Sequence, residues 1–297
     1  RYISVTGVQT CALPISVDVL ASNHPPVAHD DAAATGQNQL LTIDVLANDT
    51  DPDAGAVLTV TSAAIPNGQG TVSVVNNQVV FDPGHAFDHL AQGATQTVTG
   101  TYTIQDEHGV PATATFTIVV TGTNEGPIAV ADTGATLQNV PVTVDVLAND
   151  TDIDDGHVFT LASVSAPSGQ GTASIVGNQL VFDPGHDFDH LAPGATEQVV
   201  VTYTMHDEFG ASSSSTATIT VTGTNDAPTV SGPVAGSAFE GSGTQSVNLL
   251  LNASDIDDGA VLHVANLVWS DTGSGLPAGV SLVGNQLVVD TDDPAYN

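Results

Sequence analysis

Three acidic stretches hold the residues of this 297-residue chain best placed to do chemistry. They run from Val45 to Gly55 (Val-Leu-Ala-Asn-Asp-Thr-Asp-Pro-Asp-Ala-Gly), from Val146 to Gly156 (Val-Leu-Ala-Asn-Asp-Thr-Asp-Ile-Asp-Asp-Gly), and from Leu250 to Gly259 (Leu-Leu-Asn-Ala-Ser-Asp-Ile-Asp-Asp-Gly). Each has an apolar lead-in, carboxylates at every second position and a closing glycine. In extended backbone, residues i and i+2 point the same way. Asp49, Asp51 and Asp53 are therefore expected to converge on one ion, as are Asp150, Asp152 and Asp154. The third copy offers Asp255 and Asp257 only, because Ala253 stands where the second copy has Asp150. Oxygen-rich clusters of this kind suit Ca2+, which takes about 6–8 oxygen ligands. Three carboxylates leave such a set open. Asp106 with Glu107, Asp207 with Glu208, the pairs Asn124-Glu125 and Asn225-Asp226, and Asp132 with Asp30 and Asp31 are the candidates to complete it. The pattern is not an EF-hand. Counted from Asp49 or Asp150, the sixth residue is Ala54 or Asp155 rather than Gly, and the twelfth is Val60 or Leu161 rather than Glu. The competing reading is a solvated turn, since Asp and Asn favour turns for their own local hydrogen bonding.

Charge bears on this choice. The chain has 33 acidic residues and one basic residue, a formal charge of −32. Such a field repels nucleic acid and anionic membranes and leaves nothing basic to hold a phosphate. It also opposes compaction, so divalent cations are the expected neutralising partner. A halophilic acidic coat is the alternative, but it would use Glu freely, whereas here short Asp is concentrated at turns. An apolar share of 41% is enough to build a core. No apolar run reaches the ~18 residues of a membrane helix, so no membrane insertion is expected. One Cys allows no internal disulfide. Residues 1–16 hold the only Arg (Arg1) and the only Cys (Cys11), align with nothing later, and resemble a translated sequencing adapter. Without Arg1 the charge becomes −33, one less than −32. Both ends read as cuts within a longer protein.

These motifs are positioned by a repeat. Pro26, Pro127 and Pro228 are spaced by 101, and Asn48/Asn149, Phe81/Phe182, Tyr102/Tyr203 and Gly122/Gly223 share that offset. The period is that of a whole small domain. The expected boundaries are 26–125, 126–226 and an incomplete 227–297, with 1–25 combining the foreign segment and the tail of a preceding repeat. In the second repeat, strands are expected near 128–132, 141–147, 157–164, 171–176, 178–183, 196–206 and 215–222, with a hairpin turn at Gly177-Asn178. Val199, Val201, Tyr203 and Met205 alternate on one face. Seven short strands in ~100 residues make an all-β, Ig-like sandwich. The third repeat lacks counterparts of the last two strands and is expected to expose apolar faces and open edges.

The Val-Leu-Ala-Asn-Asp-Thr-Asp loops, the strings Phe87-Asp88-His89-Leu90 and Phe188-Asp189-His190-Leu191, the Thr101-Tyr102-Thr103-Ile104-Gln105-Asp106 strand and the Thr-Gly-Thr-Asn-[Glu/Asp]-x-Pro linkers together resemble the VCBS and cadherin-like tandem repeats of large bacterial surface adhesins. The resemblance spans nearly all of 17–297. It implies tandem cadherin-like sandwiches, calcium at loops and junctions, secretion to the extracellular surface, and a role in adhesion and biofilm. A polysaccharide or host-surface ligand would then be met by regions outside this chain.

Other chemistries are poorly served. His85 and His89, repeated as His186 and His190, have an i, i+4 spacing that can hold zinc on a helix. Glycine and proline precede them, however, and Phe87 and Leu90 read as core plugs, so a one-turn helix capping the sandwich is expected. No nucleophile-elbow pattern appears. Carboxylates that recur in each repeat suit a spacer better than one active site, and no enzyme is expected. The alternative reading is a carbohydrate-binding accessory module of a secreted enzyme or matrix protein, which the 4% aromatic content serves poorly.

Overall fold

The computed structural model describes residues 22–268 and 275–294. The adapter-like segment 1–16 lies outside them. No α-helix occurs among the described residues, and no helix is long and apolar enough to cross a membrane. The chain is all-β and forms two compact units, residues 1–125 with Ile153–Gly156, and residues 126–152 with 157–297.

In the first unit the strands are β1 (Asp31–Gly36), β2 (Leu41–Ile43), β3 (Thr59–Ala64), β4 (Thr71–Val75), β5 (Gln78–Asp82), β6 (Thr95–Gln105) and β7 (Pro111–Thr121). They form a sandwich of a four-stranded sheet, β1-β7-β6-β3, and a three-stranded sheet, β2-β5-β4. β6 and β7 pair antiparallel over eleven residues, Thr95 opposite Thr121 through Gln105 opposite Pro111. β1 joins β7 in parallel. From Val98 on in β6, and from Ala112 on in β7, every second residue is apolar, and Val98, Tyr102, Ile104, Phe116, Ile118 and Val120 are buried against Val79 and Phe81 of β5. This is the period-2 pattern of strands with one face on the core.

The second unit repeats the plan with β8 (Asp132–Leu137), β9 (Val142–Val144), β10 (Thr160–Ser165), β11 (Thr172–Val176), β12 (Gln179–Asp183), β13 (Thr196–His206) and β14 (Ser212–Thr222). The sheets are β10-β13-β14-β8 and β11-β12-β9. Val199, Val201, Tyr203 and Met205 are all buried, as their alternation requires. One core contact is exchanged between the repeats. Gly100 lies opposite Phe116, where a Cβ would sit 2.2 Å from the ring. The corresponding pair in the second unit is Val201 opposite Ala217. Volume moves across the strand pair and the core stays filled.

Further along, this unit holds β15 (Thr229–Val230), β16 (Thr244–Asn248), β17 (Ala253–Ser254), β18 (Val280–Val283) and β19 (Gln286–Asp290). Here the three-stranded sheet β16-β19-β18 recurs, but among the described residues no four-stranded sheet accompanies it. No described hydrophobic side chain beyond Pro228 is fully buried.

One device recurs in all three repeats. Asn77 accepts the Val60 N–H at 2.7 Å and donates to Leu58 O at 3.1 Å. Asn178 does the same with Leu161 and Phe159, and Asn285 with Val264 and Leu262. Asn77 and Asn178 have positive φ, 65° and 66°, in the hairpin turn expected there. That conformation suits Asn and Gly.

Several expected strands shift. Residues 128–131 make only a bridge, Ile128 to Thr151, and the strand begins at Asp132 with β8. The expected strand 141–147 stops at Val144, because the chain turns, with Ala148 N donating to Asp145 O. Phe87 and Leu90 plug the core as expected. The histidines around them sit on consecutive turns rather than a helical turn, and His85 Nδ1 faces Asp88 at 2.7 Å.

Candidate linker carboxylate site

The acidic loops divide their carboxylates between two destinations. Thr50 is pinned to Val27 by two backbone hydrogen bonds, 2.7 and 3.0 Å. Asp49 just before it accepts the His29 N–H at 2.7 Å and meets the Tyr102 hydroxyl at 3.0 Å. Just after it the chain turns. Asp51 Oδ1 accepts the Asp53 N–H at 2.8 Å, and Asp53 accepts the His24 N–H at 2.7 Å with the His24 ring at 2.8 Å. The extended geometry needed for all three to converge therefore fails. Asp49 serves the sandwich, and Asp53 serves the chain entering it. Among the described residues, no three acidic or imidazole side chains are gathered into a metal-sized cage.

The first destination is a tyrosine hub. The Tyr102 hydroxyl lies 2.7 Å from His29 O, besides its contacts with Asp49. Tyr203 repeats this with Val130 O at 2.8 Å and Asp150 at 3.2 and 3.4 Å, and Asp150 accepts the Val130 N–H at 2.7 Å. Burial, reinforced by the hydrogen bond to Asp49, pushes the Tyr102 hydroxyl far above its ordinary range. Burial and then the Asp150 charge do the same to Tyr203. Asp31 and Asp132 border the hubs. Desolvation first, then neighbouring carboxylates, raises both above the usual carboxylate range. One oxygen of each, Oδ2, is buried without a donor.

The second destination is the linker, and its geometry recurs three times. The N–H of His24, Glu125 and Asp226 donates to Asp53, Asp154 and Asp257 at 2.7, 3.1 and 3.1 Å. At the first linker Asn23 donates to Asp106 at 2.7 Å and, as the leading cause, lowers its pKa. Asp106 also accepts the His108 and Val110 N–H groups, as Asp207 accepts those of Phe209 and Ala211. Glu107 and Glu208 accept the N–H groups of Val57 and Val158, so both are committed to the sandwich edge. Asn124 occupies the linker beside Glu125, and Asn225 donates to Asp226 O at 2.7 Å. Asp152 is half-buried on the second loop. Asp255 Oδ1 accepts the Asp257 N–H at 3.1 Å and borders a cleft of about 500 Å³ with Asp189, Asp226 and Thr229.

Two residues that the sequence reading passed over organise these linkers. Gln37 and Gln138, 101 apart, are almost wholly buried. Gln37 accepts the Thr123 N–H at 3.1 Å and donates to Glu125 at 2.6 Å. Gln138 accepts the Thr224 N–H at 3.1 Å and donates to Asp226 at 2.8 Å. Their equal spacing in the repeat was the available signal. Gly122 and Gly223 also bring the chain close. A Cβ at Gly223 would lie 2.4 Å from both Leu191 O and Ala192 O. Carboxylate oxygens are left over at and beside these clamps. Glu125 Oε2 and Asp257 Oδ1 are buried with no hydrogen-bond donor, as is Asp51 Oδ2 in the first loop. No Lys or Arg is present among the described residues to reach them.

Residues 23–119 match the bacterial Ig domain family, and residues 124–223 match the bacterial cadherin-like domain family. Residues 23–223 are thus tandem repeats of the bacterial Ig and cadherin-like kind. Solved structures agree on the fold of these cadherin-like repeats. Mouse cadherin-23 EC22-24 is similar at 15% identity with a TM-score of 0.52, covering 91% of this chain and 89% of that one. The protocadherin GammaB4 extracellular domain is similar at 17% identity with a TM-score of 0.50, covering 90% of this chain and 44% of that one. The chain also spans 53% of the length of protocadherin gamma B2 cadherin domains 1-5, at 15% identity and a TM-score of 0.44. No curated protein matches in sequence.

Proposed function

We propose that this chain is a calcium-stabilised extender of a secreted bacterial adhesin, holding an adhesive region away from the cell surface in adhesion and biofilm. Bacterial Ig and cadherin-like domains are typically structural modules of extracellular repeat regions, and the family match supports that placement. Repeats at 26–125 and 126–226, with an incomplete one at 227–297, are the units of the string.

The observation that carries the calcium reading is the pair of buried carboxylate oxygens at the linkers, Glu125 Oε2 and Asp257 Oδ1, which face no donor. A buried ionised oxygen without a partner is costly. With no lysine or arginine among the described residues, a soluble cation is the remaining counter-charge. The donor set fits a hard divalent ion: carboxylates of Glu125, Asp226, Asp255 and Asp257, amide oxygens of Asn124 and Asn225, and backbone carbonyls. Calcium tolerates such irregular sets better than magnesium, which demands near-octahedral geometry and keeps its water. Gln37 and Gln138 hold the linker acids in place, and the Asp N–H bonds fix the loop beside them. Bound calcium supplies the charge that lets each linker adopt one conformation.

Isothermal titration of the chain with calcium in chelator-treated buffer tests this reading. It predicts saturable binding that magnesium does not match, with Glu125→Gln and Asp257→Asn each removing part of the stoichiometry. Heats no larger than those of equivalent sodium chloride would instead identify a solvated acidic surface.

A further inference from the structure

The clamp at Gln37 brings together more than hydrogen bonds. Gln37 directly follows β1, Thr123 and Glu125 follow β7, and Gln37 is only 1% exposed. Its carboxamide is gripped at both ends. Oε1 accepts the Thr123 N–H at 3.1 Å, and Nε2 donates to Glu125 Oε1 at 2.6 Å. The same Glu125 oxygen accepts the Thr123 hydroxyl at 3.4 Å. One carboxylate oxygen therefore touches both a hydroxyl nucleophile and the nitrogen of a buried amide.

These are the parts that acyl transfer needs: a hydroxyl, a base in contact with it, and an N–H donor on the carbonyl oxygen. Serine proteases likewise use the nucleophile's own backbone N–H as an oxyanion donor. Here the hydroxyl belongs to the residue whose N–H already holds Oε1, so rotation about the Thr123 Cα–Cβ bond turns it toward Gln37 Cδ. Groups fixed side by side react as if at high concentration.

We propose that Gln37 and Thr123 join in an intramolecular ester. Glu125 takes the hydroxyl proton as Thr123 Oγ1 adds to Gln37 Cδ. The Thr123 N–H holds the oxyanion that forms on Oε1. As it collapses, the Cδ–Nε2 bond breaks and Glu125 returns the proton to the departing nitrogen. One C–O bond replaces one C–N bond, ammonia leaves, and the carboxylate is restored; nothing is oxidised or reduced. Ammonia is protonated in water and diluted away, and burial of Gln37 keeps water from the ester carbon. The precursor is the hydrogen-bonded clamp, so freshly folded chain is held by those bonds alone. β1 and β7 are the first and last strands of the repeat and pair in parallel, so the ester ties one end of the repeat to the other. At the second clamp the shorter Asp226 takes the Gln138 amide at 2.8 Å, but among the described residues it makes no contact with the Thr224 hydroxyl. One ester per chain is therefore expected.

The test is the intact mass of the full chain, aged at neutral pH in chelator so that calcium plays no part and either result leaves the calcium reading untouched. The expected mass is one ammonia below that of the sequence. Cleavage before aspartates should then yield residues 31–43 joined to residues 106–131, and hydroxylamine, which cleaves esters, should part them. Thr123→Val, at an exposed position, keeps the N–H, loses the hydroxyl and should restore the full mass. Thr123→Ser should retain the deficit, and Glu125→Gln should slow its formation about a hundredfold, the lower worth of a positioned base. The full sequence mass with the two peptides separate overturns the proposal. So does a deficit that persists in Thr123→Val, since the ammonia would then come from another side chain, such as that of Asn67 before Gly68.

Discussion

Replacing Gln138 by leucine isolates the linker clamp, because the side chain is buried and leucine is close to it in volume. The change removes the acceptor of the Thr224 N–H and the donor to Asp226. A neutral hydrogen bond is worth about 1 kcal/mol net, and one to a charged group about 1.5–3 kcal/mol. Asp226 is partly open to water, so the lower end applies, and the summed loss is roughly 2 kcal/mol. For a repeat of ~100 residues this corresponds to a drop of roughly 8–16 °C in melting temperature. Calorimetry in chelator should show that drop, and Gln37→Leu should reproduce it through Thr123 and Glu125. Gln138→Glu offers a sharper contrast. It keeps the acceptor for Thr224 but sets a second carboxylate against Asp226, so it should be destabilised in chelator and recover with calcium. A loss below about 0.5 kcal/mol for both leucine variants would refute the clamp, since that is the range of ordinary surface changes.

The exchanged core contact gives a double-mutant cycle. Gly100→Val alone drives a side chain into the Phe116 ring and should cost about 1–3 kcal/mol, and Phe116→Ala alone about 3–5 kcal/mol. The double variant, which recreates the Val201–Ala217 pair, should be markedly more stable than their sum in urea unfolding. Asn178→Ala loses hydrogen bonds to Leu161 and Phe159 and the residue suited to positive φ, and should cost roughly 2–3 kcal/mol in the same assay. The pH dependence has a definite sign at Asp132. Its folded pKa is raised, chiefly by desolvation, so its contribution is complete below the unfolded carboxylate pKa and is lost as pH rises through the folded value. Asp132→Asn should therefore stabilise the chain at neutral pH in chelator, with the gain vanishing in acid.

The fold was legible because its strongest signals are local. The alternation of Val199, Val201, Tyr203 and Met205 can bury one face only as a strand, and the positive φ of Asn178 needs a residue of that type. The Pro and Asn spacings gave the repeat without any structural information. Less legible were positions decided by distant partners. The strand expected at 128–132 begins at Asp132 because its ladder partner, β14, lies some 80 residues away. The convergence of Asp49, Asp51 and Asp53 assumed extended backbone, and the bridge of Thr50 to Val27 followed by a turn sends Asp49 to Tyr102 and Asp53 to His24. Gln37 and Gln138 carry no charge and drew no notice, yet burial makes them the residues that hold the linker acids.

The most direct test of the calcium-stabilised linker is the melting temperature of the chain in chelator and in millimolar calcium. A ligand bound only by the folded state at 100 times its Kd adds about 2.7 kcal/mol per site, which corresponds to roughly 10–20 °C for a repeat of this size. The account predicts a rise of that order, absent with equivalent magnesium or sodium and diminished in Glu125→Gln and Asp257→Asn. An unchanged melting temperature, or an equal rise with sodium chloride at the same ionic strength, would contradict it.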